Sequence, residues 1–177
     1  RRARPTPAPG SGGMNVEHER KQVKVLQLIS SYRNRGHQKA SLDPLGIMKR
    51  EQVPDLQLNY HGLTEADLDT TFQCGTLFIG KQEAPLKEII AALEETYCRH
   101  VGVELMHITD LAEKQWLQQR LESVRSKPTY DNEMRKHVLQ RLSAAEGLER
   151  HLDSKYPGTK RFGLEGGESL IPLLDGL

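Results

Sequence analysis

The chain is predicted to be all-α, an irregular array of roughly six helices, and three observations predict it. Apolar residues recur at three- and four-residue spacing through four long stretches. Capping residues, prolines and glycines punctuate those stretches at positions that suit helix ends. "CGTLFIG" (74–80) is the one β-like run, and no second run pairs with it convincingly. Taking the elements in order, residues 1–15 open with Arg, Pro, Ala, Gly and Ser, which bury no apolar surface and read as a flexible linker. A helix follows over 16–35, with Asn15 as its cap, Val25, Leu28, Ile29 and Tyr32 on one face, and Gly36 as its stop. Asp43-Pro44 and Gly46 then mark a structured loop over 35–47.

A second helix is predicted to start at Thr64, three residues before Asp67 in the manner of a capping box, with Leu63 and Leu68 as a hydrophobic staple. Over 85–98, Pro85 suits the first turn, and Leu86, Ile89, Ile90, Leu93 and Tyr97 form one stripe. Thr109 is the candidate cap of a helix over 110–125, which carries Leu117, Leu121 and Val124. Over 131–153, Met134, Val138, Leu142, Ala145, Leu148 and Leu152 continue the pattern. Ser143 and Glu146 suggest a break inside it, and Tyr156-Pro157-Gly158 a stop. A last helix begins after Gly166-Gly167, with Ser169 as cap and Pro172 in its first turn.

Composition excludes several function classes. The 177 residues balance 25 Lys+Arg against 24 Asp+Glu, which gives no footprint for a basic nucleic-acid binder. With 36% hydrophobic and 28% charged residues, the core is modest and some apolar surface awaits cover. No apolar run nears the roughly 20 residues that span a membrane. Cys74 and Cys98 fall in no CxxC pattern and read as reduced thiols.

Candidate chemistry is sparse. None of the seven histidines lies in an HExxH, and no acidic or cysteine partner completes a zinc pattern around His100 and His107. His107, between apolar neighbours in "LMHIT", reads as a partly buried histidine that bonds to backbone and orients a helix start. "LEGGES" (164–169) matches neither GxxxxGKS nor GxGxxG and reads as a tight turn before a helix. Glu94-Glu95 and Glu17/Glu19 read as solvated charge. No catalytic, cofactor-binding or metal residue stands out, and the chain has no self-sufficient active site.

Four strings then carry a resemblance. "KQVKVLQLISSYRNRGHQKASLDPLG" (21–46), "LTEADLDTTF" (63–72), "VELMHITDLAEKQWLQQRLE" (103–122) and "LSAAEGLERHLDSKYPGTKRFGLEGGESLIPLL" (142–174) occur in that order. The sequence resembles the thiamine diphosphate-dependent 2-oxoglutarate dehydrogenases, most closely their bacterial form. The resemblance implies a helical lead-in region over 16–158, and over 159–177 the start of an α/β domain that binds thiamine diphosphate and magnesium through motifs not in this chain. It implies a homodimer that acts on 2-oxoglutarate and hands a succinyl group to a dihydrolipoyl succinyltransferase, in bacterial cytoplasm or, in a eukaryote, in the mitochondrial matrix. A fragment without the catalytic motifs would be inactive. The alternatives are a stand-alone helical module docking on such a complex, and a 2-oxoadipate dehydrogenase relative.

One site residue carries over: Phe162, within Lys160-Arg161-Phe162-Gly163-Leu164-Glu165-Gly166-Gly167, is implied to lie near the 2-oxo acid. Its ring would keep water from the decarboxylation site. The other reading makes Phe162 an anchor of its loop to the core. Gly163 stands where the family usually has serine, and Leu105 where it usually has tyrosine, so a packing role is expected of Leu105. Arg33, Arg35 and His37 read as positive charge that steadies a helix C-terminus, with an anion contact as the lesser reading.

Overall fold

The structure is a computed structural model that describes the backbone of residues 12–176 and the side chains of 16–176. It is mostly helical and divides into two compact units, one ending at Pro128 and the other beginning at Thr129. Helix α1, Gly12–Lys39, is longer at both ends than its sequence pattern. It opens inside the span read as linker, passes Asn15, and leaves only 1–11 of that linker outside the described residues. It also runs through Gly36 instead of ending there. The reason is tertiary: Gly36 lies against α2, Leu86–Tyr97, and a Cβ added to it would fall 2.5 Å from the Tyr97 Cβ. Glycine lets the two backbones meet at that point.

The core of the first unit is built on this contact. Val25, Leu28, Ile29 and Tyr32 of α1 are buried against Leu86, Ile89, Leu93 and Tyr97 of α2, as their spacing predicts. Each such side chain contributes about 1.5–3 kcal/mol by leaving water. Leu63, Phe72, Leu77 and Leu105 close the cluster, so Leu105 has the packing role expected of it. The Tyr32 hydroxyl donates to the Leu56 carbonyl at 3.3 Å, and burial pushes its pKa well up.

Between α1 and α2 the expected helix over 64–72 is replaced. Asp67 does accept from the Thr64 amide at 2.9 Å and from its hydroxyl at 3.1 Å, but the turn it closes is a 3-10 turn of three residues, Glu65–Asp67. The chain then enters β1, Thr71–Gln73, which pairs antiparallel with β2, Glu83–Pro85, in the register Phe72↔Ala84. The β-like run 74–80 is the loop between these strands. Its turn residues Gly75 and Gly80, both at positive φ, break it where periodicity alone suggested a strand. The ladder is short, and the amides of Leu86 and Lys87 extend it onto Thr70 and Leu68.

Helix α3, Leu111–Ser123, is capped by Asp110 rather than Thr109: the Asp110 carboxylate accepts from the Glu113 amide at 2.9 Å. Its buried side chains are Gln118 and Glu122, while Leu117 and Leu121 are half-buried and Val124 is exposed. The second unit consists of α4, Asn132–Lys155, and α5, Leu170–Asp175. Helix α4 runs unbroken past Ser143 and Glu146, and Asp131 caps it by accepting from the Met134 amide at 2.8 Å. Val138, Leu142, Ala145 and Leu152 form a half-buried stripe, yet no residue of α4 is fully buried. Ser169 precedes α5 in helical geometry and makes no side-chain cap.

Candidate functional site

The most developed polar site of the first unit centres on Glu122 at the end of α3. Its carboxylate receives Arg33 Nε at 2.8 Å on Oε1 and Arg33 Nη2 at 3.0 Å on Oε2. The Tyr97 hydroxyl donates to Oε1 at 2.6 Å and the Phe78 amide to Oε2 at 2.9 Å. Arg33 also donates to the Thr76 hydroxyl at 2.8 Å and the Thr76 carbonyl at 2.7 Å. Glu122 is 1% exposed and Arg33 7%. Burial works against the Arg33 charge, but Glu122 outweighs it and leaves the guanidinium more firmly protonated than usual. Burial, reinforced by Glu122, pushes the Tyr97 phenol far up. No side-chain atom of these residues is left buried without a partner, so the site is a closed clamp joining α1, α2, α3 and the β1–β2 loop. It offers neither a free base nor a nucleophile. Arg33 reads from the sequence as charge at a helix terminus; it is instead one half of a buried ion pair. Glu122 carried no sequence signal beyond one charge at an inward position of a helix.

The other residues of the α1 end are tied down near the surface. Arg35 Nη1 lies 3.1 Å from Asp55 Oδ1, and His37 Nε2 lies 3.9 Å from a Glu104 carboxylate oxygen. Of the loop expected over 35–47, the first five residues continue α1; the rest is ordered by Asp43, which accepts from the Leu45 amide at 3.0 Å and the Met48 amide at 2.5 Å. These amides, Met48 first, hold its carboxyl below the usual range. His107 is exposed, so the partly buried role expected of it is not what the fold provides.

Phe162 lies in the second unit, on the segment between α4 and α5. Its ring is 93% exposed, with Lys160 Nζ 5.6 Å from the ring centroid. Within this chain the ring packs on no core, and the segment is held by polar contacts. Arg161 bonds to Asp153 at 2.5 Å, and the Leu164 amide donates to Glu149. Phe162 borders an open cleft of about 650 Å³ that includes Glu146, Glu149, Arg150 and Asp153 of α4 and Glu165. A Cβ at Gly163 would fall 2.0 Å from a Glu165 carboxylate oxygen, the end of a flexible side chain that could swing aside. Gly166, at φ +84°, and Gly167, whose amide donates to the Leu164 carbonyl at 2.6 Å, make "LEGGES" the tight turn it reads as.

Among the described residues no three His, Cys, Asp or Glu side chains converge as a metal site. Cys74 and Cys98 are both free thiols, and burial pushes Cys98 up to about 11. No helix is long and apolar enough to cross a membrane, among the described residues.

No family model matches the chain. Curated proteins do. It is 57% identical over 175 residues, 99% of its length, to the "2-oxoglutarate dehydrogenase E1 component" of Azotobacter vinelandii. It is 50% identical over 158 residues, 89% of its length, to the protein of the same name from Cupriavidus necator. It is 46% identical over 159 residues to the "Multifunctional 2-oxoglutarate metabolism enzyme" of Mycolicibacterium vanbaalenii. The chain spans only 18%, 17% and 13% of the lengths of these three relatives.

Proposed function

We propose, from the premise that this chain belongs to the 2-oxoglutarate dehydrogenase E1 components, that it serves as the N-terminal helical frame of such an enzyme. The observation that carries this is identity of 46–57% across 87–99% of the chain to relatives of that name. The whole enzyme decarboxylates 2-oxoglutarate with thiamine diphosphate and magnesium. It passes the succinyl group to the lipoyl group of a dihydrolipoyl succinyltransferase, working as a homodimer in the bacterial cytoplasm. The cofactor, when bound, supplies the electron sink for decarboxylation.

The work of the described residues is mechanical. The Arg33–Glu122–Tyr97 clamp fixes three helices in one arrangement. The polar contacts of Arg161 and Leu164 hold the backbone on either side of Phe162 and leave its ring free. A rigidly presented apolar ring suits a wall that keeps water from a 2-oxo acid carboxylate, where low polarity favours loss of carbon dioxide.

The test is turnover by the full-length gene product with 2-oxoglutarate, thiamine diphosphate, magnesium and a lipoyl domain as acceptor. Succinyl-lipoyl product is expected. Phe162→Ala is expected to lower kcat/KM by about tenfold, equivalent to about 1.4 kcal/mol of transition-state stabilisation. The purified 177-residue chain is expected to show no turnover. A full-length product inert toward 2-oxoglutarate would sink the proposal, and wild-type kinetics in Phe162→Ala would remove Phe162 from the site.

A further inference from the structure

A pocket of about 310 Å³ opens in the first unit beside the C-terminal ends of α2 and α3. Three cationic side chains line it: Arg99, Arg125 and Lys127. Against them stands one carboxylate, Glu95. Arg125 Nη1 lies 2.9 Å from Glu95 Oε2 and Arg99 Nη2 lies 3.5 Å from Oε1, so a guanidinium sits at each of its oxygens. The hydrogen bond from Arg125 does most to hold Glu95 below the usual carboxylate range, with the fields of Arg99 and Lys127 adding to it. The cluster thus keeps an excess of two positive charges over its own acid.

Cations near helix C-termini offset the helix dipole, and one near each end would suffice for that. Two further observations ask for more. Arg125 and Ser126 follow each other at φ +51° and +50°, left-handed geometry that non-glycine residues rarely adopt. Strained backbone of this kind concentrates where a side chain must be aimed at a ligand. The Ser126 hydroxyl, in a residue that also lines the pocket, is buried with no hydrogen-bond partner.

We propose that this pocket binds a small phosphate-bearing anion. Two guanidiniums held at the two oxygens of one carboxylate are spaced for the oxygens of an anion such as phosphate, and an ammonium adds a third positive charge. Glu95 competes with the incoming anion for the same donors, which sets a modest affinity. Val101 and the arginine stems supply an apolar wall, which suits a monoester with a short carbon skeleton. The inference does not depend on the chemistry of the enzyme family.

The experiment is calorimetric titration of the full-length gene product with inorganic phosphate at low ionic strength, comparing wild type with single variants, so that any other phosphate site is common to all. Lys127→Gln and Arg99→Gln, both exposed positions, are each expected to weaken this binding by about tenfold. Glu95→Gln, which removes the competing charge, is expected to tighten it severalfold. These opposite signs distinguish a ligand site from a fold-stabilising cluster, and Lys127→Gln leaves the Glu95 bridges to Arg99 and Arg125 in place. Titrations that coincide in wild type and all three variants, or no phosphate binding in the millimolar range, would overturn the proposal.

Discussion

Replacing Glu122 by alanine removes the acceptor of four hydrogen bonds at once: two from Arg33, one from Tyr97 and one from the Phe78 amide. Arg33, 7% exposed, would keep its contacts to Thr76 but lose its counter-charge. Stranding one member of a buried ion pair costs about 3–5 kcal/mol. The orphaned phenol and amide would each add about 1–3 kcal/mol if nothing replaced their partner. Water entering the gap offsets part of this, so about 4–5 kcal/mol is expected. Against a total stability of about 5–15 kcal/mol, that is a large share. The double variant Arg33→Met, Glu122→Leu removes both charges and is expected to recover the part of the loss due to the stranded charge, while the Tyr97 hydroxyl and Phe78 amide stay unpaired. Urea denaturation of the 177-residue chain, followed by circular dichroism, reads both. An alanine variant within about 1 kcal/mol of wild type at an unchanged m-value would show that the clamp is hydrated, and the reasoning would fail.

Three more outcomes follow from particular contacts. Gly36→Ala improves helix propensity by about 1 kcal/mol, yet its Cβ would meet Tyr97 at 2.5 Å, so a net loss of about 1–3 kcal/mol is expected in the same assay; a stabilised variant would show that the helices can part. Asp67 accepts from Lys21 at 2.7 Å, and this bond, with those from Thr64, depresses its pKa in the fold. Its contribution is therefore complete above the unfolded value of about 3.9 and is lost as pH falls toward the lower folded value. Asp67→Asn is expected to flatten the acid side of the stability–pH curve, and an unchanged slope would refute this. Cys98, pushed up to about 11 chiefly by burial, is expected to resist a thiol reagent at pH 8 until the chain unfolds; prompt labelling of the native Cys98 would contradict that.

Much of the helical frame was legible in the sequence. The α1 and α2 stripes are long and strictly periodic, and a helix with such a stripe has one way to bury it. The turn character of "LEGGES" was legible for a similar reason, because a Gly-Gly pair is local chemistry. Phe162 entered only through the resemblance, since an exposed ring on a loop leaves no periodic trace. What the tertiary structure decided lies where local signals compete with distant partners. Thr64 and Asp67 do form their capping interaction, but the segment after them pairs as β1 with a strand ten residues on, which no local pattern announces. Gly36 reads as a helix stop until α2 is seen lying against it. Glu122 and Arg33 are 89 residues apart, and each alone is an ordinary surface charge on an amphipathic helix. Periodicity records which face of an element is apolar. It does not record which charge on that face will find its counterpart once the helices close, because that choice depends on desolvation and geometry set only by the packed fold.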